Sequence, residues 1–390
     1  MIQISKFDCC GCMACMKKCP SDAIMEKIDS EGFRYPKVVL EKCIDCRLCE
    51  ETCPVLNAPT SKKTATIIDK NVYAVINKDG DIRQDSSSGG VFDALARKII
   101  ENDGVVYGAA MSDDQYECSH IRIDSTEGLQ KLHGSKYLQS DISGCYDEID
   151  SFLKMGKTVL FTGTPCQINA LQRYVSGDTG NLFCAEVVCH GVPSSYYWKK
   201  YIDEIEEKNK AKVVESSFRT KNSLKRSSSR DGWGLLLKFD NGKVIKENSL
   251  KNRYLQAFIH NVMLRPSCHK CIFKYLEREA DISLGDFWGC EKIFKDFDDG
   301  KGVSLVITHT KKGETLLDEL DGEICCEKSD ISTAIAFNSP LILPVSPHKK
   351  RSEFIEGVRK VGFTKTVNQI LLLDIFIDNI KCYLKKLIGR

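Results

Sequence analysis

Four cysteines spaced C-x2-C-x2-C-x3-C and closed by a proline occur twice near the N-terminus. The first run is Cys9, Cys12, Cys15 and Cys19-Pro20, and the second is Cys43, Cys46, Cys49 and Cys53-Pro54, 34 residues later. A repeat this regular can decide a fold, so it is read before anything else. The chain has 390 residues and 20 cysteines, nine of them within the first 53 positions. The start, MIQISKFDCCGCMAC, shows no apolar leader segment. No uninterrupted apolar run approaches the roughly 18 residues of a membrane-spanning helix. Cysteines in such a chain are expected in a reducing, cytoplasmic compartment, doing metal ligation or redox work rather than forming disulfides. Lysine plus arginine number 56 against 54 aspartate plus glutamate. That balance lacks the basic footprint of a nucleic-acid binder. With 42% hydrophobic and 28% charged residues, the chain can build a sizeable core.

The doubled run is the bacterial two-cluster ferredoxin pattern, in which the fourth cysteine of each run ligates the other cluster. One [4Fe-4S] cluster is therefore expected on Cys9, Cys12, Cys15 and Cys53, and the other on Cys43, Cys46, Cys49 and Cys19. Three thiolates two residues apart wrap one corner of a cube, and the proline fixes the turn by which the chain leaves it. Zinc ribbons use two separated CxxC pairs, and neither they nor a disulfide knot predict two identical runs ending in proline. Cys10 is extra to the pattern and reads as a bystander. Short strands are expected at Ala23-Ile24 and Phe33-Arg34-Tyr35. Residues 1–58 are thus a dicluster ferredoxin domain, and the polar stretch 59–70 reads as a linker.

Strands and helices then alternate. Strands are predicted at 72–77, 105–111, 118–124, 158–163, 183–188 and 303–308, with a hairpin at 234–239 and 243–247 around Asp240-Asn241-Gly242. Helices are predicted at 88–103, 144–156, 165–176 and 195–209. The fold class is α+β, with a larger α/β domain over 71–345 behind the ferredoxin and a helical tail over 346–390. From about Lys365 to Leu387 the tail reads as one long helix. Asp374, Asp378, Lys381 and Lys385 run down one side, and Leu371, Leu372, Ile375, Phe376, Ile380 and Leu387 form a wide apolar face. That face suits docking on the body, on a partner or on a second copy ahead of lying on a membrane surface.

Several turns carry chemistry. Ser86-Ser87-Ser88-Gly89-Gly90 opens a helix and reads equally as an anion site or as an ordinary serine N-cap. In VLFTGTPCQINAL (159–171), Thr164 caps a helix, Pro165 fits its first turn, and Cys166 lies where a helix start stabilises thiolate. VVCHGVPS (187–194) places Cys189 and His190 after another strand. Cys268 and Cys271 form a CxxC that holds half of a tetrahedral site. Cys166 and Cys189 are the best-placed partners, with Cys184, Cys290 and His269 in reserve. A third cluster, a zinc site and a dithiol are all open on spacing alone, and two upstream clusters favour a third cluster. ADISLGDFWG (280–289) places Asp286 and Trp288 in an acidic aromatic turn that either faces a planar cofactor or packs in the core. The basic stretch Lys221 to Arg230 reads as a solvated loop, and Cys325-Cys326 as buried strand residues.

SSSGGVFDALA, GSKYLQS (134–140), FTGTPCQ, CHGVPS, the CxxC and ADISLGDFWG occur in this order behind a two-cluster ferredoxin. Together they resemble the coenzyme F420 hydrogenase/dehydrogenase beta-subunit family, in its stand-alone bacterial branch. The resemblance implies an iron–sulfur flavoprotein oxidoreductase that passes electrons from clusters through FAD to a two-electron small-molecule substrate. It places Ser88, Gly89 and Gly90 on the flavin phosphates and Lys136, Thr164 and Gln167 beside the flavin. Asp286 and Trp288 would close the pocket, with Lys136 and Asp286 as catalytic candidates. Asp93 stands where a threonine often follows the paired glycines. A ferredoxin or another redox protein is the expected partner. The rival expectation is a non-catalytic electron-transfer subunit that feeds a partner enzyme.

Overall fold

The computed structural model describes residues 1–58, 71–221 and 232–387, with side chains to Leu384 in the last helix. The expected linker over 59–70 and the basic loop over 222–230 lie outside the described residues, as do the side chains of Lys385 and Leu387.

The N-terminal segment pairs β1 (Ile24–Ile28) with β2 (Arg34–Val38) in antiparallel register, Ile24 opposite Val38. Their turn is held by Asp29, whose carboxylate accepts the N–H groups of Glu31 and Phe33 at 2.9 Å each. Each cysteine run makes one short helix, Ala14–Lys17 and Leu48–Glu51, displaced by the same 34 residues as the cysteines. Ile2, Ile24 and the thiols of Cys15, Cys49 and Cys53 form the small core between them.

The body begins with β3 (Asn71–Asn77), β4 (Val105–Met111), β5 (Cys118–Ile123), β6 (Val159–Gly163) and β7 (Leu182–Val187). Next come β8 (Val213–Lys221), β9 (Trp233–Phe239) and β10 (Val244–Asn248), then β11 (Ile282–Asp286), β12 (Ser304–Thr308) and β13 (Ile324–Ser329). Eight of these form one sheet in the order β13-β3-β12-β11-β7-β6-β4-β5. Its centre, β11-β7-β6-β4, is parallel, and the outer pairings are antiparallel. A parallel strand is covered on both faces, which is why β6 reads as the continuous apolar run VLF. Leu160 packs toward the helix Val91–Glu101 through Leu95 and Ile99. Val159 and Phe161 pack the other way, against the helices Tyr146–Lys154 and Pro165–Tyr174. The remaining strands form a separate antiparallel sheet, β10-β9-β8. It closes on the helix Ser195–Asn209 through an aromatic cluster of Trp198, Phe218, Tyr254, Phe354 and Phe363.

The tail differs from the single predicted helix. A helix at Arg351–Val361 precedes one at Phe363–Ile370, and Leu371 separates the latter from the last helix, Leu372–Leu387. The middle helix begins at an interhelical cap. Glu204 takes the N–H groups of Phe363 and Thr364 onto its carboxylate, which starts the middle helix at Gly362 with φ +92°. The apolar face is divided: Leu371 and Ile375 are buried, whereas Leu372 and Phe376 are 67% and 60% exposed. Cys325 and Cys326 do lie in a strand, but β13 is a sheet edge. Cys325 is half-buried and Cys326 exposed, which corrects the expectation of a buried pair. Among the described residues no helix is long and apolar enough to cross a membrane.

Candidate functional site

The two cysteine runs fold alike down to single dihedrals. Gly11 (φ +71°) and Met13 (φ +57°) of the first correspond to Asp45 (φ +54°) and Arg47 (φ +62°) of the second. Left-handed backbone at non-glycine residues costs about 1 kcal/mol each. Its repetition at Met13, Asp45 and Arg47 marks a loop that must turn successive N–H groups toward one point, the geometry of an anion-binding nest. Each loop encloses an opening. One, of about 300 Å³, is lined by Cys9, Cys10, Cys12, Cys15 and Cys53. The other, of about 340 Å³, is lined by Cys19, Cys43, Cys46 and Cys49. The chain thus brings together the cysteines that the crossed pairing groups. The first opening is the inner one: Cys9, Cys15 and Cys53 are buried, whereas Cys46 of the second is exposed.

The inner opening faces the body. Tyr146 Oη donates to the Cys12 carbonyl at 3.0 Å, Gln139 Nε2 to the Cys10 carbonyl at 2.9 Å, and Arg265 Nε to the Cys9 carbonyl at 2.8 Å. Cys10, which sequence reasoning set aside, lines this opening and is also a direct neighbour of Cys166. No sequence signal marked it, because its role depends on how the ferredoxin docks.

The carboxyl edge of the parallel strands gathers the motif turns, the place where open α/β sheets build their sites. β6 ends at Gly163 and leads into Thr164-Pro165-Cys166, and β7 leads into Cys189. β11 ends at Asp286 before Trp288, and the Ser86–Gly90 turn returns to the end of β3, where Asn77 N–H donates to Gly89 O at 2.7 Å. The helix after β6 is capped by Gln167, whose Oε1 accepts Thr164 N–H at 2.9 Å while its Nε2 donates to Ser140 O at 3.1 Å.

Cys166, Cys189, Cys268 and Cys271 form one electrostatic group. The Cys189 thiol is pushed up to about 12, first by burial and then by Cys166 and Cys271. Burial, followed by Cys189, Cys271 and Cys166, raises Cys268 further. Cys271 is raised by burial and then by Cys166. Cys166 is raised first by its contact with the Cys10 thiol and then by burial. Four half-buried thiols that oppose one another's ionisation suit a cationic metal centre, which stabilises thiolate and offsets the repulsion. Among the described residues no three His, Cys, Asp or Glu side chains converge as tightly as a single metal ion requires. The reserve candidates point elsewhere. Cys184 is buried in β7 beside Asp281, Cys290 packs with Phe287 and Leu305, and His269 Nδ1 donates to Val345 O at 3.0 Å.

Gly89 and Gly90 owe their identity first to close packing. A Cβ on Gly89 would lie 2.3 Å from the Val75 carbonyl, and Gly90 caps the following helix at φ +85° with no side-chain cap. The serines are engaged around it. Ser88 Oγ donates to Val303 O at 2.8 Å, and Ser87 Oγ accepts Ser135 N–H at 2.7 Å. The ordinary serine N-cap is therefore not what forms. A lysine of β8 reaches this turn, and another follows Ser135, which bonds Ser87. Lys221 Nζ donates to Ser88 O at 2.6 Å, and burial, aided by repulsion from Arg83, pushes its pKa down to about 7. Lys136 Nζ donates to His133 O at 2.7 Å and is pushed down to about 8 by desolvation. Asp93 is committed to Arg97 and to His133, 2.7 Å away, as an ion-pair anchor under the turn. Trp288 carries the Arg219 guanidinium, 5.1 Å from its ring, and the same cation lies 4.4 Å from Trp233 and pairs with Asp286. Arg219 and Lys221 were missed from sequence. Alternate positions of one strand put both on one face, but FRTK gave no sign of what that face meets.

Residues 8–57 match the model of the 4Fe-4S dicluster domain, and residues 156–334 match that of the C terminus of the coenzyme F420 hydrogenase/dehydrogenase beta subunit. A chain of the F420-reducing [NiFe] hydrogenase complex from Methanosarcina barkeri is similar in structure. The TM-score is 0.49 at 18% identity, over 76% of this chain and 96% of that one. No curated protein matches.

Proposed function

Since the chain belongs, through residues 156–334 and behind a 4Fe-4S dicluster domain, to the coenzyme F420 hydrogenase/dehydrogenase beta-subunit family, we propose that it is an FAD-dependent iron–sulfur oxidoreductase. A redox protein would deliver electrons singly at the exposed ferredoxin opening, and a small molecule would receive them in pairs at the body. The observation that carries this reading is the continuity of thiols from the inner ferredoxin opening, through Cys10, to Cys166 and the body cysteines at the carboxyl edge.

Cys19, Cys43, Cys46 and Cys49 would hold the outer cluster, Cys9, Cys12, Cys15 and Cys53 the inner one, and Cys166, Cys189, Cys268 and Cys271 a third. A flavin would collect electrons one at a time and release them two at a time. The chain fits the anionic end of such a group. Lys221, a desolvated amine that donates to the Ser88 carbonyl, stands by the uncapped amides at the start of the helix Val91–Glu101, and Lys136 follows Ser135, which bonds Ser87. Ser88 and Gly90 would bring backbone N–H groups to the phosphates, while Gly89 N–H holds the turn by donating to Ser304 Oγ at 2.9 Å. Thr164 and Gln167 hold the helix start beside Cys166 in place, and the stacked Arg219, Trp233 and Trp288 with Asp286 wall the site and exclude water. Lys136, at about 8, is poised to give or take a proton near neutral pH.

A second reading, an electron-transfer subunit feeding another enzyme, is favoured by the exposed apolar side of the last helix, where Leu372, Leu373 and Phe376 face outward. Anaerobic addition of reduced ferredoxin to the isolated chain separates the two. Bleaching of bound flavin supports the enzyme. Reduction of the clusters with no flavin present supports the electron-transfer role.

A further inference from the structure

One cation is buried between the ferredoxin and the body without a carboxylate. Arg265 is 1% exposed, and among the described residues no acidic group lies within ion-pair distance of it. Its fork is used on neutral acceptors: Nε donates to Cys9 O at 2.8 Å, Nη1 to Gln139 Oε1 at 2.9 Å and Nη2 to Arg34 O at 2.8 Å. Nη2 also lies 4.0 Å from Cys9 Sγ. Tyr35 and Phe33 present ring faces to it at 4.4 and 5.3 Å. Gly11 gives it room, since a Cβ there would lie 2.5 Å from Nη1.

The same residue serves the body cysteines. Its carbonyl accepts Cys268 N–H at 2.9 Å, and its charge acts on the Cys166 thiol. Removing an unpaired guanidinium from water is costly, and neutral hydrogen-bond partners satisfy its N–H groups without balancing its charge. A cube held by four thiolates is an anion, and net charge and hydrogen bonding around its sulfurs set its potential.

We propose that Arg265 is the counter-charge shared by the inner ferredoxin cluster and the body cluster, and that it raises their reduction potentials above that of the outer cluster. This rests on the cluster assignment above. Electrons delivered by a reduced redox protein are then drawn inward. One electron leaves the iron held by Cys19, Cys43, Cys46 and Cys49, and one arrives at the iron held by Cys9, Cys12, Cys15 and Cys53, with no bond made or broken. The guanidinium stabilises the added negative charge at the inner position and, being farther away, does less at the outer one.

Redox titration of the anaerobically purified full chain, followed by electron paramagnetic resonance, tests this, with Cys46→Ser identifying the outer signal. Arg265→Gln, which removes the charge, is expected to make inner-cluster reduction at least tenfold less favourable, about 59 mV for a one-electron couple. The outer midpoint stays in place. Arg265→Lys, which keeps the charge, stays close to the wild type. Gln139→Glu sets a carboxylate against Nη1, shifts the inner midpoint in the same direction and decides the matter if Arg265→Gln loses iron. Midpoints that ignore both charge changes with iron intact, or an outer midpoint that moves as far as the inner, overturn the proposal. A wild type with no cluster signals would instead overturn the cluster assignment.

Discussion

Asp286 Oδ2 lies 2.9 Å from Arg219 Nη2, and the arginine is buried between two indoles. The carboxylate at the end of β11 is therefore first a partner for a sequestered cation. Asp286→Asn leaves the guanidinium unpaired and is expected to cost about 3 kcal/mol of stability, read as a lower urea midpoint. Asp286→Glu should recover part of it. An Asp286→Asn protein as stable as the wild type would show that the pair is not structural.

Lys221 gives the fold a signed pH dependence. Its ordinary value of 10.5 is pushed down to about 7 in the folded chain, mainly by burial. Between those values the unfolded chain binds the extra proton and the folded chain does not, so stability rises with pH across the window. Urea midpoints at pH 7 and pH 9 are expected to differ less in Lys221→Met than in the wild type. Parallel profiles would contradict the assignment.

Gly89→Ala places a methyl 2.3 Å from Val75 O and 2.7 Å from Ser304 N. Both neighbours are backbone in adjacent strands and cannot yield. The expected loss is about 1–3 kcal/mol, accompanied by weaker flavin retention as the turn shifts. Thermal melts and flavin content of the purified variant check both.

Under the proposed crossed ligation, Cys53 would answer to the first run. Cys53→Ala should remove about four irons and the signal of the cluster on Cys9, Cys12 and Cys15, leaving that on Cys43, Cys46 and Cys49. Loss of the latter instead would mean that each run serves itself.

What could be read in advance was whatever local spacing dictates. The cysteine runs announced their loops because thiols at that interval admit few backbones, and Thr164-Pro165 announced its helix start because capping is local. Cys10, Arg219, Lys221 and Arg265 were silent. Each gains its meaning from an element distant in the chain, and Arg265 touches Cys9 across 256 positions. Cys326 was misjudged because strand identity is local, whereas edge position depends on sheet order. The tail helix broke at Leu371, and the helix before it starts where Glu204, far upstream, supplies a cap that no tail residue foretells.

On the proposed function, thiols from two segments would hold three clusters that lead to a flavin. Iron, acid-labile sulfide and FAD quantified on one anaerobically purified sample test it most directly. The expected result is about 12 irons with matching sulfide and one FAD per chain. About 8 irons with no flavin would contradict it.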